Sequence, residues 1–468
     1  MNNFLKPMAA ATLLLAGCAS FSPDGGTGAV SQLAKERVGQ SPTYQRTTDQ
    51  VDSAQTRVAE LVKEPLTADS AVELAMLNNR GLQASLSELG IAEADLVRAG
   101  RLHNPSFSFG RLSGAGVVEI DRAILFDVLG ILTMPLAKQV EQARFEQAQL
   151  QAAYDAVGVA AEARRAYFSA VAAQELVSYF QQVKETADAS NELARRMVQA
   201  GNFSKLAQMR EQAFYADATS QLARALHQSV AQRERLARAL GLSGEPLAFK
   251  LPQRLPELPK EPDEPKDAEQ TAMNMRLDVL MAKRNTQALA KSLGLTKATR
   301  MVNVLNAGYQ NKSTTGATRS NGYVVELELP LFDFGSARVA RAEATYMQSV
   351  HRTTQVAVDA RSEVRESYSA YRTAYDLAKH YRDEVVPLRK RISQENLLRY
   401  NGMLSSVFDL LADSRDQIAS VTGYVESVRD FWVAQTDLQT TLTGRSPGAG
   451  LGFGSPTAVM GSSAGAAH

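Results

Sequence analysis

Five histidines and one cysteine are the soft metal ligands available in this chain of 468 residues. His103, His227, His351, His380 and His468 are scattered, and none stands at HExxH or H-x3-H spacing. Each reads as a helix-surface residue. The single thiol, Cys18, allows neither an internal disulfide nor a cysteine metal cluster. No G-x-x-x-x-G-K-[ST] phosphate loop occurs, and the glycine-rich GAGLGFG from Gly448 to Gly454 lies in a low-complexity tail. No paired acids or nucleophile–base constellation stands out. The chain therefore reads as no enzyme, with no metal and no bound cofactor. With 51 Lys+Arg against 50 Asp+Glu, the net charge of +1 also argues against a nucleic-acid binder.

What remains is the chemistry of Cys18 itself. Ahead of it stand a short basic start, Lys6, and an apolar run from Met8 to Ala16. That run is far short of the ~20 residues a membrane-spanning helix needs, so residues 1–17 read as a signal peptide. Leu15-Ala16-Gly17-Cys18 resembles the bacterial lipoprotein signal. The resemblance implies that Cys18 is lipidated and becomes the mature N-terminus, and that Ala19 favours the outer membrane. Several acyl chains would anchor it stably, at ~0.8 kcal/mol per buried CH₂. Residues 18–65 read as a lipid-anchored tether, flexible over Phe21 to Gln32.

The elements behind this start alternate between two periods. Thr67 to about Arg101 is helical, with Thr67 or Asp69 as cap and Leu74, Leu82, Leu86 and Leu89 on its apolar side. A hairpin follows at about 106–127, with Val118, Ile120, Ile124 and Phe126 on one parity. Past an apolar bridge from Val128 to Leu132, a helix is expected from about Met134 to Gln199, on the order of 100 Å long. Its alanines, such as Ala152, Ala156, Ala160 and Ala163, allow close helix approach. Gly201-Asn202 breaks it, Ser204 caps a returning helix, and Gly241 ends that. Residues 245–266 carry six prolines, at 246, 252, 256, 259, 262 and 265, and read as an extended connector docked along the outside.

The order then repeats over 267–443. A helix covers Asp267 to Lys297, and a second hairpin lies at about 301–333. Its first strand is read as Met301–Gln310, with a polar loop from Asn311 to Gly322. Its second strand has Tyr323, Val325, Leu327, Leu329 and Leu331 on one face and Glu326 and Glu328 on the other. A long helix runs to Tyr400, with a kink expected at Pro387. Asn401-Gly402 breaks it, Ser405 or Ser406 caps the last helix, and residues 444–468 read as a disordered tail. Leu-Phe-Asp closes both hairpins, at Asp127 and at Asp333, with Gly335 turning the second chain into its helix. Asp127 pairs with Asp333 and Gly201 with Gly402, which marks an internal duplication of residues 66–244 and 267–443.

Strands of about ten residues can cross an outer membrane. Four cannot close, and an open edge in lipid leaves unpaired N–H and C=O groups costing several kcal/mol each. Three copies would give a twelve-stranded barrel with an open lumen. The glutamates would then face water inside while Val325, Leu327 and Leu329 face lipid. A four-stranded cap on a soluble helical bundle would alternate in the same way.

The doubled plan, PLFDFGSARVARAEA from Pro330 to Ala344 and YNGMLSSVFDLLADSRDQ from Tyr400 to Gln417 resemble the TolC family of outer-membrane factors. The resemblance spans about Leu66 to Thr443, and Cys18 fits the family's lipidated branch. It implies a mainly α protomer with a small β part. Three protomers would form a twelve-stranded transmembrane β-barrel continued by a long periplasmic α-helical barrel. It further implies a homotrimer in the outer membrane, docking a periplasmic adaptor and an inner-membrane pump that supplies the energy. The function implied is a passive exit duct for small molecules in tripartite efflux. A type I protein secretion duct is the alternative within the fold, and a lipid-anchored coiled-coil scaffold the alternative outside it.

By the same resemblance, Gly201, Asn202, Phe203, Gly402, Met403 and Leu404 sit at helix tips that meet the adaptor. The best-known members of the family place two pore-constricting aspartates six and nine residues after the tip glycine. Counted from Gly402, these positions are Phe408 and Leu411, with Asp409 and Asp413 nearby. A hydrophobic constriction at Phe408 and Leu411, an acidic ring from Asp409 or Asp413, and plain helix packing all stand open at this point.

Overall fold

The structure, a computed structural model, describes residues 20–244, 248–302, 304–328, 332–405 and 407–447, without the side chains of 407–409 and 411. Cys18 and its signal segment, Leu329, Leu331, Ser406 and the Gly448–Gly454 run lie outside the described residues. In chain order the helices before the first hairpin are α1 (Thr27–Val38), α2 (Thr48–Leu61), α3 (Ala68–Asn78) and α4 (Arg80–Ala99). Strands β1 (Ser106–Gly114) and β2 (Val117–Asp127) lead into α5 (Val128–Gln199) and α6 (Lys205–Leu240). The second half has α7 (Ala268–Met275), α8 (Leu277–Ala298), β3 (Leu305–Thr314) and β4 (Ser320–Leu327). It ends with α9 (Ser336–His380), a π-turn (Tyr381–Val385), α10 (Val386–Asn401) and α11 (Val407–Thr443).

The chain divides into two compact units. The first contains residues 1–30, 86–152 and 278–358, and the second residues 31–85, 153–277 and 359–468. In the first unit the strands form one antiparallel sheet in the order β1-β2-β3-β4. β3 runs to Thr314 and β4 starts at Ser320, so much of the expected polar loop 311–322 is strand and the connection is short. Hydroxyls join α8 to α9: Thr286 Oγ1 lies 2.6 Å from Ser349 Oγ and 2.8 Å from Thr353 Oγ1. Thr353 passes the chain on to the Ala282 carbonyl at 3.1 Å. The N-terminal segment is docked here rather than free. The Ser22 N–H donates to Glu93 Oε1 at 2.6 Å, and Gln149 Nε2 donates to the Gly26 carbonyl at 3.1 Å. Asp24 accepts the Gly26 and Gly28 N–H groups and so starts α1. The flexible tether expected over Phe21 to Gln32 is therefore a docked turn and the start of a helix.

In the second unit Ala153, Ala156, Ala160 and Ala163 are buried on α5, as close packing of long helices requires. An aromatic core gathers Tyr371, Tyr375, Phe431 and Leu258, with Trp432 packed against it. Phe431 and Trp432 meet edge to face at 5.1 Å, and Phe168 stacks on Trp432 at 5.3 Å. The proline-rich connector is fastened across this core. Tyr375 Oη donates to the Lys260 carbonyl at 2.6 Å, and Trp432 Nε1 donates to the Pro256 carbonyl at 3.1 Å. The Asp263 N–H donates to Tyr371 Oη at 2.8 Å, and the Leu255 N–H to Glu175 Oε2 at 3.0 Å. These bonds satisfy backbone groups that an extended, proline-broken segment cannot pair with itself.

Four helix boundaries differ from the sequence reading, and the first is at Arg276, whose extended backbone splits the helix expected from Asp267 to Lys297 into α7 and α8. The helix expected from Thr67 to about Arg101 is interrupted at Asn79, which accepts the Leu82 N–H at 3.0 Å and donates to the Ala239 carbonyl at 3.1 Å. α5 begins at Val128, so the apolar bridge to Leu132 is its first turn. Pro387 produces a π-turn immediately before it, which places the proline in the first turn of α10, where its missing N–H costs little.

Candidate functional site

The register divides the sheet into two chemically distinct faces. Phe107, Ile124, Tyr309 and Tyr323 lie side by side across all four strands. Phe126, Ala307 and Val325 form the adjacent row, and Leu305 and Leu327 the next. Tyr323 is 90% exposed and Val325 69% exposed in the single chain. The opposite face carries Asp127, Asn306 and Glu326 in one row and Asp121 with Lys312 in another. Asn306 Nδ2 donates to Glu326 Oε2 at 2.8 Å, and Lys312 pairs with Glu119. The acids of the strands, Glu119, Asp121, Asp127 and Glu326, all belong to this second face. One face thus suits hydrocarbon and the other water. β1 and β4 are both edge strands, so each offers an unpaired backbone row.

Two aspartates build the turns from strand to helix. Asp127 Oδ1 accepts the Gly130 N–H at 2.7 Å and starts α5 directly. Its Oδ2 meets His103 Nδ1 at 2.7 Å, a partner that the sequence reading missed because nothing local links the two. Asp333 Oδ1 accepts the Gly335 N–H at 2.8 Å, two residues on instead of three. Gly335 has φ +71°, and a Cβ there would lie 2.6 Å from the Arg300 carbonyl oxygen. Only glycine fits that close, left-handed corner. The junctions match in residue type and differ in turn geometry.

The helix tips show a sharper difference. At the end of α5, Gly201 has φ +76°. The Asn202 N–H donates to the Met197 carbonyl at 2.9 Å and the Gly201 N–H to the Val198 carbonyl at 3.0 Å, which is a Schellman cap. Gly201 and Asn202 are exposed and Phe203 is half-buried. Ser204 Oγ accepts the Ala207 N–H and starts α6. At the end of α10 the Leu404 N–H donates to the Arg399 carbonyl at 2.8 Å and the Met403 N–H to the Tyr400 carbonyl at 2.9 Å. The left-handed residue is therefore Met403, at φ +61°, while Gly402 is right-handed at φ −81°. Gly402 is not the structural counterpart of Gly201; Met403 is. Met403 is 94% exposed and Leu404 81% exposed.

Counted from the left-handed residue instead of the glycine, the positions that the resemblance singles out move by one. Six and nine residues after Met403 stand Asp409 and Ala412, in place of Phe408 and Leu411. Phe408, Asp409 and Leu411 lie in the first turns of α11, and their side chains are outside the described residues. Asp413 is buried, and its Oδ1 has no hydrogen-bond partner among the described residues. Its counterpart, ten residues after Gly201 as Asp413 is after Met403, is Glu211. Glu211 is also buried, with Oε2 accepting from Ser190 Oγ at 2.8 Å and Oε1 unpartnered among the described residues. The sequence gives no sign of this pair until the true turn residue is known. Among the described residues no cluster of His, Cys, Asp and Glu could hold a metal, and no helix is long and apolar enough to cross a membrane.

Residues 268–400 match the family model for outer membrane efflux protein. No curated protein matches the chain. Among solved structures, the CmeC outer membrane channel of Campylobacter jejuni superposes with a TM-score of 0.69 at 14% identity, over 92% of this chain and 94% of that one. CusC, solved in a study of folding and transmembrane channel formation, gives 0.67 at 17% identity, over 81% and 92%. The open-state MtrE outer membrane channel of Neisseria gonorrhoeae gives 0.67 at 15%, over 83% and 89%. At these identities the superpositions establish the TolC-like channel fold, and the similarity to the outer membrane efflux protein family lies in residues 268–400, within the second repeat.

Proposed function

We propose that the protein is the outer-membrane exit duct of a tripartite efflux system, passing small molecules from an inner-membrane pump to the outside. The sheet carries this reading. It has an apolar face, a polar face and two open edges, and it closes without unpaired backbone only by joining other copies. Three chains supply twelve strands, which leave a lumen lined by the Glu119, Asp121, Lys312 and Glu326 face. The chain's own part is to provide a wet passage, so no catalytic group is needed. Lipidation of Cys18 would hold each protomer at the inner leaflet of the outer membrane.

The tips of α5 and α10 are the docking surface for a periplasmic adaptor. Leu193, Leu206 and Met209 are exposed beside the first tip, and Leu397, Leu398, Met403 and Leu404 beside the second. Exposed apolar side chains concentrated at loop ends favour a protein partner. The passage narrows near these tips, with Asp409 the acidic candidate for the constriction.

The test is an image of the detergent-extracted protein by electron microscopy, together with its conductance in a planar bilayer. A three-fold hollow particle that conducts is the expected result. A monomer, or a solid rod without conductance, would overturn the duct and favour a scaffold.

A further inference from the structure

On the apolar face, beyond Tyr309 and Tyr323, the pattern changes. The next row toward the hairpin turns is Phe109, Arg122, Asn311 and Asn321. Arg122 Nη1 donates to Asn311 Oδ1 at 3.2 Å, and Asn311 Nδ2 donates to Asn321 Oδ1 at 2.6 Å. Arg111, exposed, stands one row further on the same face, opposite Ile120. Arg111 and Arg122 are thus diagonal neighbours across β1 and β2, within side-chain reach of each other. All four strand carboxylates lie on the other face, and neither guanidinium has a carboxylate partner among the described residues. Two adjacent like charges, without a counter-ion and at the border of an apolar surface, call for an external anion.

We propose that Arg111 and Arg122, oriented by Asn311 and Asn321, bind the phosphate groups of an outer-leaflet glycolipid. This rests on the reading of the sheet as a membrane barrel. Both hairpin turns lie at the end of the sheet away from the helix junctions Asp127 and Asp333, so in that reading they point outward. An arginine costs about 2–4 kcal/mol on a barrel's lipid face at mid-depth and close to nothing at the interface, which fixes the height of this row at the headgroups. Guanidinium matches phosphate in a bidentate fork, and the Asn–Asn ladder holds Arg122 by one nitrogen while leaving the others for the ligand. Two cations side by side suit a headgroup with two phosphates better than one with a single phosphodiester.

The experiment uses the full chain reconstituted into nanodiscs of phosphatidylcholine doped with diphosphorylated lipid A, or with phosphatidylglycerol at equal charge. Lipid retained on the extracted protein is counted by native mass spectrometry. Lipid A should be enriched over both other lipids. Arg111→Gln and Arg122→Gln should each reduce that enrichment about fivefold, as expected for one basic residue at a lipid surface. Lys312→Gln, on the opposite face, should leave it unchanged. Equal retention by the wild type and the double arginine variant overturns the proposal, as does a wild type that prefers phosphatidylglycerol. Failure of the wild type to enter neutral nanodiscs at all would overturn the barrel reading itself, which separates the two.

Discussion

Met403 holds a left-handed conformation that costs an L-residue roughly 1 kcal/mol, with its side chain almost wholly in solvent. The cap bonds to the Tyr400 and Arg399 carbonyls hold the turn, but among the described residues nothing covers the Met403 side chain, which fits its place on the docking surface proposed above. Met403→Gly should therefore raise the melting midpoint by about 2 °C while weakening capture of the periplasmic adaptor. Calorimetry and adaptor pull-down measure the two effects, and a variant that loses both stability and docking would refute the argument. Glu175 is half-buried on α5. Burial raises its carboxyl above the ordinary 4.5, although the Leu255 N–H and Arg254 pull the other way. The folded state thus favours the protonated form. Its stabilising contribution is complete below the ordinary value and is lost as pH rises through the raised folded value. Glu175→Gln keeps an acceptor for Leu255 without the charge. Its melting point relative to wild type should climb from pH 4 to pH 7, and a constant difference across that range would contradict the assignment.

At the scale of elements, the connector behaves as a strap. Tyr375, Tyr371 and Trp432 hold its backbone, and each bond crosses from a long helix to a segment that has no ladder of its own. Tyr375→Phe removes the hydroxyl that reaches the Lys260 carbonyl at 2.6 Å. It should cost about 1 kcal/mol and expose residues 254–264 to limited proteolysis sooner than in wild type. The strap was legible in the sequence, because six prolines forbid a helix and leave backbone acceptors that need partners. The doubled hairpins and long helices were legible for the same kind of reason, a change of period at matching points. The break at Asn79 was not, since its side chain is held by the Ala239 carbonyl, far along the chain. Nor was the left-handed turn at Met403. A glycine beside it is the default choice for such a turn, and only the hydrogen bonds from Met403 and Leu404 show which residue takes it. Counting from Met403 instead of Gly402 moves each tip-referred position by one residue.

For the whole molecule the decisive property is that neighbouring residues on β1 lie on chemically different faces of the sheet. Phe107 lies in the apolar row with Ile124, Tyr309 and Tyr323, whereas Ser108, opposite Ala123, lies on the polar face. In a soluble four-stranded cap both faces of this exposed edge strand would meet water, and a lysine at either position would be tolerated. In a closed trimer within lipid the two differ. Phe107→Lys places a charge against hydrocarbon in each of three copies, one row inside the arginine row, at a cost between the near-zero interfacial value and the about 2–4 kcal/mol of mid-depth. Ser108→Lys places it in the lumen, where water solvates it. The first variant should lose heat-stable trimer and conductance. The second should assemble normally and shift ion preference toward anions. Gel mobility of unheated samples and reversal potentials in a salt gradient read both outcomes. If the two lysines are equally harmless, the sheet does not enter lipid, and the long helices have to be explained without a pore.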